Sequence, residues 1–202
     1  MRFIAHRRNT IEELIATPHQ YGVEVDIRSE QGQLIIHHDP FTSGADFEEW
    51  LKHYQHGTLI LNVKEEGLEA RLIELMQRYR VTDFFFLDQS FPFLIKWSQL
   101  GEHRCAVRVS EFESINTALS LAGKIDWVWI DCFTRFPLSG EDAKHLQNAG
   151  FKLCLVSPEL QGRSSESEIP VLADLLRKYA IYPEAVCTKH AELWKSALHH
   201  AA

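Results

Sequence analysis

LILNVKEEGLEARLIELMQRYRVTDFFFLDQS, residues 59–90, carries one complete turn of the pattern that decides the fold. Leu59–Lys64 and Phe84–Asp88 are short apolar runs of strand length. Between them Leu68, Leu72, Ile73, Leu75 and Met76 recur at helical spacing and fall on one side of a helix. The stretch reads strand, helix, strand. Two strands joined through a helix pair in parallel, because a tight hairpin cannot connect them.

The same kind of run recurs in both directions along the chain. Phe3–His6 and Val23–Arg28 precede it, the latter with a companion at Leu34–His38. Cys105–Ser110, Trp127–Cys132, Leu153–Ser157 and Ala185–Thr188 follow. GEDAKHLQNAG (140–150) has a polar start and Gly150 just past its end, which is helix punctuation. PVLADLLRKYA (170–180) and AELWKSAL (191–198) read as further helices. With the Leu34 run counted as an appendage, eight strands alternate with helices. The expectation is an α/β chain forming a closed (β/α)8 TIM barrel, one compact domain over residues 1–202. The alternative, an open doubly wound sheet, would carry a Gly-rich phosphate loop after its first strand, where this chain has HRRNT. ELQGRSSESEI (159–169) reads as a mobile loop after the seventh strand.

At 202 residues the chain supports one sizeable core, and 45% apolar with 24% charged residues is a globular balance. The formal charge of −7 and the absence of basic runs argue against a nucleic-acid partner. MRFIAHRRNT has no apolar signal core and no segment reaches spanning length, so a cytoplasmic protein without a membrane span is expected. Cys105, Cys132, Cys154 and Cys187 each sit in a strand-like run and read as buried, reduced thiols. They lack the close pairing of a thiolate zinc site. His199 and His200 read as tail.

In a barrel the chemistry gathers at the C-terminal strand ends. His6, Glu24, Asp26, Asn62, Lys64, Asp88, Arg108 and Asp131 stand there. Strand alternation puts Glu24 with Asp26, and Asn62 with Lys64, on shared faces. Carboxylates and a lysine placed together in a barrel mouth are costly to desolvate, a cost that a bound cation and a bound anion relieve. Asp131 reads either as a further site carboxylate or as a strand-end Asp satisfied by loop amides. His37 reads as the outward-facing neighbour of His38.

At these residues the chain resembles the glycerophosphodiester phosphodiesterases, within the phospholipase C-like phosphodiesterase barrels. The matching stretches are IAHRRNT, GVEVDIR, QGQ, LIIHHDP and LILNVK, followed more loosely by DQSFP and VCTKH. The resemblance implies a phosphodiester hydrolase acting on a small glycerophosphodiester-like or sugar-phosphodiester substrate. It implies that His6 and His38 are the acid/base pair. It further implies that Glu24, Asp26 and Asn62 hold a divalent cation, Mg2+ or Ca2+, and that Arg7, Lys64 and Arg108 bind the phosphate or substrate. The chain departs from the family at several points. Asn62 replaces a third metal carboxylate, Arg8 a glycine, Val156-Ser157 a substrate-packing tryptophan, and Lys189 an aspartate. The added positive charge of Arg8, Arg108 and Lys189 points to a more anionic substrate. Two other readings keep the same residues: an anion-binding barrel that has lost turnover, and a lyase that leaves a cyclic phosphate.

Overall fold

Four- and five-residue runs of Leu, Ile, Val, Phe and Trp have no polar face to show to water, so they fold as strands covered on both sides. A computed structural model of the chain, describing residues 1–199, shows this pattern throughout. His200 lies outside the described residues. In chain order the elements of the first half are β1 (Arg2–Ala5), α1 (Ile11–Ala16), β2 (Gly22–Glu30), β3 (Gln33–Ile36), β4 (Ala45–Asp46), α2 (Phe47–Leu51), β5 (Leu59–Val63), α3 (Glu69–Arg78), β6 (Phe84–Leu87) and α4 (Phe91–Gln99). The second half contributes β7 (Ala106–Val109), α5 (Ile115–Leu119), β8 (Trp127–Ile130), α6 (Gly140–Asn148), β9 (Lys152–Val156), α7 (Ser165–Lys178), β10 (Ala185–Thr188) and α8 (Ala191–His199).

The chain divides into two compact units. In the unit His6–Cys105, β2, β5 and β6 pair in parallel, with Asp26 beside Asn62 and Leu61 beside Phe86. β3 returns antiparallel along β2, and the short β4 adds to β3, so the Leu34 run is the appendage that the sequence suggests. The other unit combines Met1–Ala5 with the residues from Ala106 on. Its strands run β1, β10, β9, β8, β7, all parallel. Three parallel strands in one unit and five in the other make the expected eight.

The expected closed ladder needs a correction at β6. On the side away from β5 this strand carries one isolated bridge, Phe86 to Cys105, rather than a continuous ladder. The residues leading to Cys105 are held in a tight turn. The Glu102 carboxylate takes hydrogen bonds from the Arg104 backbone N–H, Nε and Nη2 at 3.0, 2.7 and 2.6 Å.

Each helix buries the face its spacing dictates. α3 puts Leu72, Leu75 and Met76 inside, each contributing on the order of 1.5–3 kcal/mol of burial. α6 opens on a reciprocal cap between Ser139 and Asp142. Trp50 and Trp194 are fully buried.

The stretch 159–169 is structured, against the expectation of a mobile loop. Pro158–Gln161 forms a 3-10 turn, and α7 begins at Ser165, capped by Ser164, well before Pro170. A proline favours the first helical turn, which is why the sequence suggests a later start. Side chains hold the stretch in place. The Glu159 carboxylate accepts from the Ser157 hydroxyl, from Thr188 Oγ1 at 2.6 Å and from the Lys189 N–H at 2.9 Å. Arg163 donates to the Cys132 carbonyl and to Glu168. Ser157 is wholly buried and also accepts from Trp194 Nε1 at 2.7 Å, so the position where the resemblance expects a tryptophan joins this network instead.

Among the described residues, no helix is long and apolar enough to cross a membrane. The four cysteines are free and buried.

Candidate active site

β2 supplies the centre of the site. Alternation along the strand puts Glu24, Asp26 and Arg28 on one face. Glu24 is 1% exposed and Asp26 fully buried, and two adjacent buried carboxylates require compensation. It comes from neighbouring elements of the same unit. From β5, Asn62 Nδ2 donates to Glu24 Oε1 at 2.8 Å, and Lys64 Nζ lies 3.2 Å from Asp26 Oδ1. Lys64 Nζ also lies 3.3 Å from Asp88 Oδ2, just past β6.

The segment 6–9 closes over the carboxylates. The Arg7 backbone N–H donates to Glu24 Oε2 at 2.7 Å, and the Arg7 guanidinium Nε lies 3.4 Å from Asp26 Oδ2. His6 Nε2 stands 3.8 Å from Glu24 Oε2. Arg7 has φ 50, a left-handed conformation that side chains other than glycine adopt at a cost. Asn9 holds Asp26 at both ends, donating to Oδ2 at 2.9 Å and accepting the Asp26 N–H at 3.1 Å.

Burial first, and the nearby Asp26 charge second, raise the Glu24 carboxyl from 4.5 to about 7, against the pull of Asn62, the Arg7 N–H and Lys64. A carboxylate so placed is short of positive charge.

His38 stands beyond β3. Its Nδ1 meets Asp39 Oδ1 at 2.8 Å, a contact that holds the Asp39 carboxyl below its usual range. Arg28 sets the backbone here, donating from Nε and Nη2 to the His38 carbonyl at 3.1 and 2.9 Å and from Nη1 to the Lys64 carbonyl at 3.4 Å. Arg7, Asn9, His37, His38, Asp39 and Ser43 line a cleft of about 760 Å³. His37 lines the same cleft as His38. β3 ends at Ile36, so strand alternation does not reach the two histidines.

The structure thus joins His6, Arg7, Glu24, Asp26, Asn62 and Lys64 by direct contacts and puts Arg7 and His38 on one cleft. Arg108 belongs to the other unit, where its guanidinium lies 3.5 Å from Asp131. Asp131 is taken up locally, accepting from the Cys132 N–H at 2.9 Å and from Gln161 Nε2 at 2.6 Å. Lys189 is exposed and offers its backbone N–H to Glu159. Asn9 and Arg28 take positioning roles that sequence reading missed. Arg28 continues the Glu24, Asp26 alternation by one more step, which was a usable signal.

No three His, Cys, Asp or Glu side chains among the described residues converge as a metal cluster. The set here is two carboxylates and an amide. Asn62 Oδ1 and Asp26 Oδ1 are buried and take no hydrogen bond from the described residues, and the Lys64 ammonium lies 3.2 Å from Asp26 Oδ1. These oxygens, with the Glu24 carboxylate, suit a hard divalent cation.

No protein-family model and no curated protein matches the sequence. Solved structures do match in fold. Glycerophosphodiester phosphodiesterase from Agrobacterium tumefaciens is similar with a TM-score of 0.66 at 13% identity, over 97% of this chain and 98% of that one. Tryptophan synthase from M. tuberculosis, in a ligand-free form, is similar with a TM-score of 0.60 at 9% identity, over 98% and 92%. At such identities the likeness is one of fold alone. The two proteins carry different chemistries, so function has to be argued from the site.

Proposed function

We propose that this protein is a divalent-cation-dependent phosphodiester hydrolase of the cytoplasm. Its substrate would be a small glycerophosphodiester or sugar phosphodiester. The observation that carries the reading is the convergence of His6, Arg7, Glu24, Asp26, Asn62 and Lys64 in one unit, with Arg7 and the His38–Asp39 pair on a common cleft.

Glu24, Asp26 and Asn62 would hold the cation, which supplies positive charge to a phosphoryl oxygen and to the paired carboxylates. Arg7 and Lys64 hold the phosphate, leaving their carboxylate partners to the cation. With Asp39 on Nδ1 of His38, Nε2 would be the atom that exchanges a proton. One imidazole takes a proton from water as its oxygen bonds to phosphorus. The other gives a proton to the alkoxide as the second P–O bond breaks. Buried, free thiols fit the proposed compartment.

The test is turnover of a panel of glycerophosphodiesters and sugar phosphodiesters by metal-stripped protein, with and without added Mg2+ or Ca2+. Metal-restored activity, solvent oxygen in the phosphate product, and a loss of at least about a hundredfold in His6→Ala are expected. A cyclic phosphate free of solvent oxygen would replace hydrolysis by the lyase reaction. Phosphate affinity without turnover would replace it by anion binding.

A further inference from the structure

Beyond Lys64 the same unit carries polar side chains that the phosphodiesterase reading leaves unused. Glu69, the first residue of α3, and Gln89 and Ser90, which lead into α4, line a cavity of about 280 Å³. Lys64, Glu65, Glu66 and Asp88 complete its wall. Glu69 is 1% exposed. Gln89 Nε2 donates to Glu69 Oε1 at 3.0 Å, so the amide turns its carbonyl oxygen elsewhere. Glu69 Oε2, Gln89 Oε1 and Ser90 Oγ are all buried and take no hydrogen bond from the described residues.

Ser90 adds an independent sign. It is the N-cap of α4, where a serine hydroxyl ordinarily accepts a backbone N–H of the first turn. Pro92 removes one such donor, and Ser90 Oγ does not take another. Its hydroxyl is free for a ligand.

A carboxylate oxygen, an amide oxygen and a hydroxyl oxygen, each buried and each from a residue that lines this cavity, make a hard donor set. Four carboxylates, Glu65, Glu66, Glu69 and Asp88, line it against one ammonium, Lys64, which Asp26 shares. That balance repels anions and attracts a cation. Ca2+ accepts carboxylate, amide and water oxygens in adaptable geometry, whereas Mg2+ demands a strict octahedron.

We propose that Glu69, Gln89 and Ser90 form a calcium-class cation site, separate from the Glu24, Asp26 and Asn62 set. Lys64 borders both, so binding and stability are the readouts rather than turnover.

The experiment titrates metal-stripped full-length protein with Ca2+ by calorimetry, and records melting with and without Ca2+, for the parent, Glu69→Gln, Ser90→Ala and Glu24→Gln. One Ca2+ equivalent should be lost, or weakened at least about tenfold, in Glu69→Gln and retained in Glu24→Gln. Without Ca2+, Glu69→Gln should melt at or above the parent, since it removes a buried charge, and its Ca2+-induced upshift should be reduced. Ser90→Ala should weaken the same equivalent, and it decides the matter if Glu69→Gln does not fold. Unchanged Ca2+ binding in the Glu69 and Ser90 variants, or loss only in Glu24→Gln, would overturn the proposal and leave the cavity to water. Failure of the phosphodiesterase reading shows separately, in turnover and in Glu24→Gln.

Discussion

Arg28 holds two backbone carbonyls in place without touching the paired carboxylates. Its fork reaches the carbonyls of His38 and Lys64, the residues that follow β3 and β5. A lysine keeps the charge but cannot span two acceptors with a planar fork. Arg28→Lys should therefore lower kcat on the proposed substrates by about tenfold or more, while costing only about 1–2 kcal/mol in a denaturant melt. Equal kcat in the two proteins would show that Arg28 has no positioning role. Glu24, Asp26, Asn62 and Lys64 were legible as partners, because a strand repeats every second residue and these four stand at that spacing. Asn9 was not, since its grip on Asp26 depends on how the segment after β1 bends at Arg7. A periodicity holds only inside its element, and β3 ends before His37 and His38.

Loops in the second half of the chain are held by side chains rather than by loop sequence. Glu111, after β7, accepts the N–H groups of Phe133, Thr134 and Arg135 and the Thr134 hydroxyl, fixing the stretch that follows β8. Desolvation pushes this carboxyl up, but the Arg135 and Thr134 donors outweigh it and bring it from 4.5 to about 2. A carboxyl depressed on folding stabilises the fold fully above its unfolded value and loses that contribution as pH falls through the folded one. The stability gap between the parent and Glu111→Gln should therefore be widest near neutral pH and shrink from about pH 4.5 towards pH 2. Urea melts across that window would measure it, and a gap independent of pH would refute the charge-based account. The helices with polar starts and a trailing glycine were legible from punctuation. The stretch after β9 was not, because Thr188, which binds its Glu159, and Trp194, which backs Ser157, lie far from it in sequence.

Across the whole molecule the thiols report how completely both units are buried. Cys105 lies in one unit and Cys132, Cys154 and Cys187 in the other, all buried. Burial, with Asp131 adding to it, pushes the Cys132 thiol up to about 12, and burial alone raises Cys154 further. A thiol-specific reagent should leave all four unlabelled under native conditions and label all four in denaturant. Labelling without denaturant would place a cysteine at an accessible surface. The alternation of strand and helix, the eight parallel strands, and the faces each strand and helix presents were determined by the sequence alone. They follow from local periodicity, which needs no knowledge of distant residues. The tertiary structure decided what periodicity cannot carry. It reduced the pairing beyond β6 to one bridge and ordered the stretch 158–169 through partners remote in the chain. It also gathered Glu69, Gln89 and Ser90 around one cavity. Each outcome depends on contacts between residues that are distant in sequence, and such contacts exist only once the chain is folded.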